Sequence, residues 1–306
     1  FYPNNDFEDS KSFASHNRGY KAEDKMAWRR ENVNLVIEML RDTIKSVKPY
    51  VKYGISPYAV WRNKREDPKG SDTKSYSYTN YDHLHADLLL WMEKGWLDYV
   101  LPQLYFNIGY EAADFKVLAD WWQDYSHGTP VYAGLGPYRL DKDARIPDWR
   151  SAEQIKMQAE MIRIMPAYQG ACYFNAKNFK ENRLGINEVV EELYPNPALI
   201  PALNGFPVNP PDSPVSAQAL SSDGKLTFTW KSADVSRNNK PEAKYHVIYR
   251  FDKGEKADFS KGSAIIALTG EDSFTVSTPD DGSYVFYVSA LDRLYNESKP
   301  VKVQIR

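Results

Sequence analysis

The sequence predicts an α/β domain built on a parallel sheet, followed by an all-β sandwich. Three observations carry this. Four short apolar runs, at 51–56, 98–106, 130–136 and 170–175, alternate with stretches of helical periodicity, which is the pattern of repeated strand–helix units. A proline-rich stretch then interrupts the chain. Beyond it the hydrophobic period changes from helical to alternating. A length of 306 residues accommodates two domains. We place them at 1–195 and 215–306, with a linker at 196–214.

The elements follow in order. Residues 1–23 are polar and irregular. Val33, Val36, Ile37, Leu40, Ile44 and Val47 form one stripe of a helix that Asp24 can cap and Pro49 stops. The first strand is Val51–Ser56. A long polar loop, 61–79, separates it from a helix that Asn80 can cap and that ends near Gly95. The strand Asp98–Phe106 leads into a helix over Glu111–Tyr125, closed by Gly128. The strand Pro130–Gly136 precedes a second long loop carrying Asp141, Asp143 and Asp148. Ser151 and Gln154 have capping-box spacing for a fourth helix that stops before Pro166. The strand Gly170–Asn175 and a helix over 187–193 complete the domain. Tyr194–Pro214 holds seven prolines and reads as the linker. In the second domain 226–230, 245–251 and 284–290 alternate as strands, with turns at Asp223-Gly224, Asn238-Asn239 and Asp280-Asp281-Gly282. Trp230 is expected in its core.

Composition excludes several classes. A net charge of −2 gives no electrostatic case for nucleic acid or an anionic membrane. No apolar run approaches the length of a membrane span. The single cysteine, Cys172, excludes an internal disulfide and falls in a strand expected to be buried, so it reads as a small core residue rather than a nucleophile. His83 and His85 are two apart on an expected helix and point to different faces, so no shared metal is expected. No cofactor is expected either. Phe1 is not an initiator methionine, so the missing leader leaves the compartment unread. The aromatic fraction is 14%, including 22 Tyr and 8 Trp. Two readings stand: aromatic-rich cores, or rings lining a groove for flat, weakly charged ligands, of which sugars are the commonest.

Parallel sheets put their chemistry at the carboxyl ends of the strands. Those ends read Ser56-Pro57-Tyr58, Gln103-Leu104-Tyr105, Gly136-Pro137-Tyr138 and Phe174-Asn175. They are rich in rings and amides and poor in carboxylates. Trp61, Tyr105 and Tyr138 are placed to offer ring faces to a sugar, or else to pack the rim. Gln103 either meets a sugar hydroxyl or ties adjacent strands. Arg62 and Arg139 either take a carboxylate or are surface cations. Asn175 either orients a ligand or caps the next turn. Among the acids near the mouths (Asp6, Glu8, Asp67, Asp72, Asp141, Asp143, Asp148), Asp6 and Asp141 are the catalytic candidates, each also readable as a solvated loop acid. Asp98 precedes its strand and lies at the wrong end.

Four stretches together are specific: Trp28-Arg29-Arg30-Glu31-Asn32-Val33-Asn34; Lys52-Tyr53-Gly54-Ile55-Ser56-Pro57-Tyr58 with Trp61-Arg62; Trp91 to Gly95-Trp96-Leu97-Asp98-Tyr99 with Pro102-Gln103-Leu104-Tyr105; and Gly134-Leu135-Gly136-Pro137-Tyr138-Arg139. With them the first domain resembles the glycosyl hydrolase-like 10 family. The resemblance implies a (β/α)8 TIM-type barrel, hydrolysis of a polysaccharide or peptidoglycan glycan, and an extracytoplasmic setting in the bacterial envelope. A closed barrel needs eight strand–helix units, and about four are present here, so the chain is expected to hold a partial barrel. Phe1-Tyr2-Pro3 resembles the tail of the family's fourth strand, which makes Tyr2 a substrate-binding candidate and puts the family's acidic pair just before Phe1. A homodimer or a missing amino-terminal half would complete such a barrel, and the chain alone is expected to be inactive. The rivals are a carbohydrate-binding module without catalysis and a cell-surface scaffold. Tyr284-x-Phe286-x-Val288-x-Ala290 and the segment 291–298 resemble fibronectin type III, and no site is expected in 215–306. Asn296-Glu297-Ser298 matches a glycosylation sequon, read as chance.

Overall fold

The computed structural model describes residues 7–74, 78–202, 208–233, 240–277 and 282–306. The chain divides into two units, Phe1–Leu193 and Tyr194–Arg306.

In the first unit four parallel strands, β1 (Gly54–Ile55), β2 (Tyr99–Val100), β3 (Val131–Leu135) and β4 (Tyr168–Tyr173), lie in the order β1-β2-β3-β4. The first two are shorter than their apolar runs, yet their backbone ladder runs on: Asp98, Leu101 and Gln103 donate to the carbonyls of Tyr53, Ile55 and Pro57. Pro57 and Pro102 lack an N–H, which trims the regular pairing there. Among the described residues seven α-helices accompany the sheet: α1 (Ser10–His16), α2 (Lys25–Val47), α3 (Leu88–Glu93), α4 (Phe115–Asp124), α5 (Glu153–Arg163), α6 (Ala176–Lys180) and α7 (Ile186–Leu193). Val100, Val131, Ala133 and Leu135 are buried in one core with Phe115, Leu118 and Trp122 of α4 and Ile155, Ala159 and Ile162 of α5. Asp98 lies at the amino end of β2, where it accepts from the Tyr53 N–H and from Lys45.

Several expectations need correction. The α2 stripe is only partly buried. Val33 and Ile37 enter the core, whereas Val36, Leu40 and Val47 are exposed with Met39 beside them. Asn80 does not open a helix, because its side chain is committed to Tyr58 and Val60, bonding the Tyr58 N–H and both carbonyls. α3 starts later, at Leu88, where Asp87 accepts from the Leu90 N–H. His83 therefore lies in a turn and His85 in the irregular stretch after it, not on a helix. α4 is capped by Asp114 rather than beginning at Glu111. At α5 the Ser151 hydroxyl accepts from the Glu153 N–H, but the Gln154 side chain is buried instead of completing a capping box. Cys172 is exposed: β4 is an edge strand among those described, and Cys172 pairs with Gly134, on the opposite side from the buried Ala133 and Leu135. α1 and α6 were not foreseen.

The second unit holds two four-stranded sheets. One is ordered β12 (Gln304–Ile305), β5 (Val215–Ser222), β6 (Lys225–Lys231), β9 (Ser273–Val276); the other β11 (Val301–Lys302), β10 (Tyr284–Leu291), β7 (Tyr245–Asp252), β8 (Ile265–Thr269). Pairing is antiparallel except between β12 and β5. Ala219, Leu226, Phe228 and Trp230 from the first sheet share a core with Ile248, Phe286 and Val288 from the second. The expected turns at Asn238-Asn239 and Asp280-Asp281 lie outside the described residues. Asn296 of the sequon is buried, at 6% exposure, and its Nδ2 donates to Asp292 at 2.9 Å.

Candidate functional site

The carboxyl ends of β2, β3 and β4 gather a compact set of rings. Tyr105 and Tyr138 meet edge to face at 5.5 Å, and Phe174 lies 5.9 Å from each. Phe174, directly after β4, is 53% exposed and Tyr138 is 37% exposed. An apolar ring that exposed, held beside two others, is a surface for contact rather than a core residue. The peptide bond Phe174–Asn175 is cis. Tyr105 is half-buried, and burial, with Tyr138 and Cys172 nearby, pushes its hydroxyl above the ordinary tyrosine range, so it stays a neutral donor.

Glycines let the strands approach beneath these rings. The Gly134 N–H donates to Pro102 O at 2.8 Å, and a Cβ at 134 would lie 2.7 Å from that oxygen. Gln103 bridges Tyr58 on one side and Gly134 on the other. Its Nε2 donates to Ser56 O at 3.2 Å, which ties two strands together and leaves its side-chain oxygen at the strand ends without a hydrogen bond among the described residues.

The other predicted residues divide. Trp61 does not join the rings. It is 4% exposed, stacked on Trp121 at 5.9 Å and edge-on to Tyr81. Arg62 is saturated: its guanidinium bonds both oxygens of Asp82 and one of Asp67, and Asp82 raises its already high pKa further. Arg139 differs. It forms no ion pair among the described residues, its buried Nε has no hydrogen-bond partner, and it lies between the rings of Tyr138, Phe106 and Trp149 at 5.5 to 5.9 Å. Asn175 caps α6 by accepting from the Lys177 N–H. Asp141 is exposed and accepts from the Asp143 N–H in its own turn. Asp148 accepts from Asn107. Glu8 is exposed and accepts from the Ser10 N–H. Tyr2 and Asp6 lie outside the described residues.

Sequence reasoning missed three features. Phe174 was placed at a strand end but not chosen. An apolar ring followed by a polar residue at such an end was the available signal. Arg183 donates to the Tyr138 carbonyl at 2.9 Å and pairs with Glu181, fastening the loop after α6 to the β3 end. Asp9 forms a buried two-point pair with Arg29, at 2.8 and 2.9 Å, that holds the segment before α1 to α2. Arg29 keeps the Asp9 carboxyl down at about 2.

Comparison with known proteins finds a family likeness in part of this chain. Residues 4–151 match the glycosyl hydrolase-like 10 family. The match takes in β1 to β3, Gln103, Tyr105, Tyr138 and Arg139, and stops before β4. The chain is 35% identical over 283 residues to glycosyl hydrolase YngK of Bacillus subtilis (strain 168), covering 90% of this chain and 54% of that relative. It is 35% identical over 178 residues to glycosyl hydrolase DigH of Escherichia coli (strain K12), covering 56% of this chain and 40% of that one. The chain thus spans about half the length of the curated relatives it matches. Likeness to solved structures is slight: an endo-β-1,4-mannanase from Thermotoga petrophila aligns at TM-score 0.33 and 11% identity, over 92% of this chain and 61% of that chain.

Proposed function

We propose that the first unit forms the glycan-holding part of a glycoside hydrolase mouth, on about four units of a (β/α)8 barrel, and that the second unit is a fibronectin-like sandwich. The observation that carries this reading is the ring set Tyr105, Tyr138 and Phe174 at the carboxyl ends of parallel strands. Pyranose rings carry apolar C–H patches that stack on such faces. The Gln103 oxygen supplies an acceptor for a sugar hydroxyl. Arg139, with no acid paired to it among the described residues, is a cation available to a carboxylate, such as the lactyl group of muramic acid, whereas Arg62 is already neutralised by Asp67 and Asp82. Hydrolysis by paired carboxyl groups needs both to be free to reach the scissile bond. Asp67, Asp82, Asp148 and Glu181 each serve a structural bond, which supports binding without turnover by this chain alone. An extracytoplasmic setting goes with a glycan substrate of this kind.

The test is calorimetric binding of denuded peptidoglycan strands and of neutral β-linked oligosaccharides. Tyr105→Ala with Phe174→Ala is expected to weaken binding about tenfold, at roughly 0.5–1.5 kcal/mol per ring. Unchanged affinity in that double variant overturns the reading. Robust release of reducing sugar by this chain overturns the inactivity.

A further inference from the structure

We propose that the second unit carries a binding site of its own for an anionic polysaccharide, in the cleft beside the amino-terminal half of β10. The gap arises from strand topology. β10 pairs with β11 only at Tyr287 and Val288. The Val303 N–H then donates to Phe286 O, and the chain leaves that sheet to pair as β12 with Gln218 and Ala219 of β5. This switch of sheets opens a cleft of about 810 Å³ along the Tyr284–Phe286 stretch, bordered by Lys253, Lys302, Gln304 and Arg306. Lys302, Gln304 and Arg306 also border a neighbouring cleft of about 450 Å³ against Val215 and Gln218.

Among the described residues the cations at this cleft, Lys253, Lys302 and Arg306, have no ion-pair partner. Neither has Arg250, whose guanidinium lies 4.8 Å from the centre of the Tyr284 ring. Three lysines elsewhere in the unit are paired, Lys240 with Asp212, Lys244 with Glu242 and Lys261 with Glu255, while Lys225, Lys231, Lys256 and Lys299 form no ion pair among the described residues. One exposed acid, Asp252, sits opposite Tyr284 across the β7–β10 pair. Acidic and basic residues are equal in number over 194–306, so the cations at this edge reflect placement rather than composition.

These groups fit a carboxylated sugar chain. Arginine offers a fork matched to a carboxylate and the lysines offer mobile charge. The Tyr284 ring, half-buried and backed by Arg250, offers a face for sugar C–H groups. The Gln304 amide serves a hydroxyl. From Ser283 to Tyr287 the strand rises about 13 Å, a length suited to a polymer rather than a single ion. Nucleic acid is disfavoured, because single-strand binders rely on successive stacking rings and this cleft presents Tyr284 by itself. The choice of a glycan over other polyanions rests on the reading of the first unit; the cationic cleft does not.

The experiment uses the full chain and polygalacturonate as probe, with affinity measured at low and high salt, and dextran, polyphosphate and an oligonucleotide as comparisons. Lys253→Ala with Lys302→Ala is expected to weaken polygalacturonate binding about tenfold. Binding is expected to fall as salt rises and to be absent on dextran. Lys302→Arg, which keeps the charge, is expected to bind as the parent does, and an unchanged melting temperature shows that each variant is folded. Tyr105→Ala with Phe174→Ala is expected to leave polygalacturonate binding intact, which separates this site from the first unit's mouth. Binding that survives loss of both lysines overturns the proposal. So does binding abolished by the ring variant alone, or an equal affinity for polyphosphate or the oligonucleotide.

Discussion

Gly134→Ala tests how closely the strands are drawn together beneath the candidate mouth. The substitution adds a single methyl group in a strand, and by local preference alone alanine there is better than glycine by roughly 0.5–1 kcal/mol. The surroundings reverse the sign. The new Cβ would lie 2.7 Å from the Pro102 oxygen and 3.2 Å from the Gln103 Cα, both backbone atoms. Even a close C–H···O contact has its carbon at about 3.3–3.6 Å from the oxygen, so the strands must part by roughly 0.6–0.9 Å. The atom that must recede is the acceptor of Gly134's own N–H bond, so no side-chain rotation relieves the clash. Overpacking of this kind costs about 1–3 kcal/mol, and in a unit of this size each kcal/mol lowers the melting temperature by about 2–4 °C. Calorimetry of Gly134→Ala is expected to show a loss of several degrees in the first unit. Gly270→Ala, where the Cβ meets only the Lys244 oxygen at 3.7 Å, is the control and is expected to change stability by less than about 0.5 kcal/mol. A Gly134→Ala protein melting with the parent would refute the close approach.

Arg29→Met removes the two-point partner of the buried Asp9 carboxylate and leaves it Lys25 at 2.7 Å, and is expected to destabilise by about 1.5–3 kcal/mol in denaturant titration. Because Arg29 holds Asp9 down at about 2, its share of stability is whole above about pH 4 and lost as pH falls through 2, about 2 kcal/mol in all, and an Asp9→Asn variant is expected to lack that acid limb. His85 is driven down to about 4, by burial first and then by Arg29 and Arg30. It folds neutral, so stability is expected to decline by about 3 kcal/mol as pH drops from 6.5 to 4, and His85→Gln should flatten that stretch of the pH profile. Cys172 is expected to react with a maleimide in the native protein at a rate close to that of the unfolded chain. Protection until denaturant is added would contradict its exposure.

Much of the architecture was written in the order of apolar runs. All four parallel strands fall within or beside their predicted runs, because a parallel strand covered by helices must be apolar along its length. Boundaries were less legible. The helix expected from Asn80 begins at Leu88, since a capping side chain and one that ties a loop are the same residue type, and only the positions of Tyr58 and Val60 distinguish them. Trp61 and Tyr105 both follow strand ends in sequence, yet one is buried against Trp121 and the other stands beside Tyr138. The difference lies in where the long loop after β1 returns, which no local pattern encodes. Arg62 and Arg139 looked alike for the same reason. The acids that neutralise Arg62 lie five and twenty residues away. The exposure of Cys172 depends on β4 being an edge strand, which concerns the neighbours of a strand rather than its own residues.

The turn around Asn296 has a practical consequence for production hosts. A glycan is bulky and needs an asparagine amide that projects into solvent. Here that nitrogen is spent on Asp292 inside a folded corner, so secretion through a eukaryotic pathway should yield polypeptide of unaltered mass at this position once the corner has closed. A heterogeneous, heavier product there would report slow closure of the carboxyl-terminal hairpin.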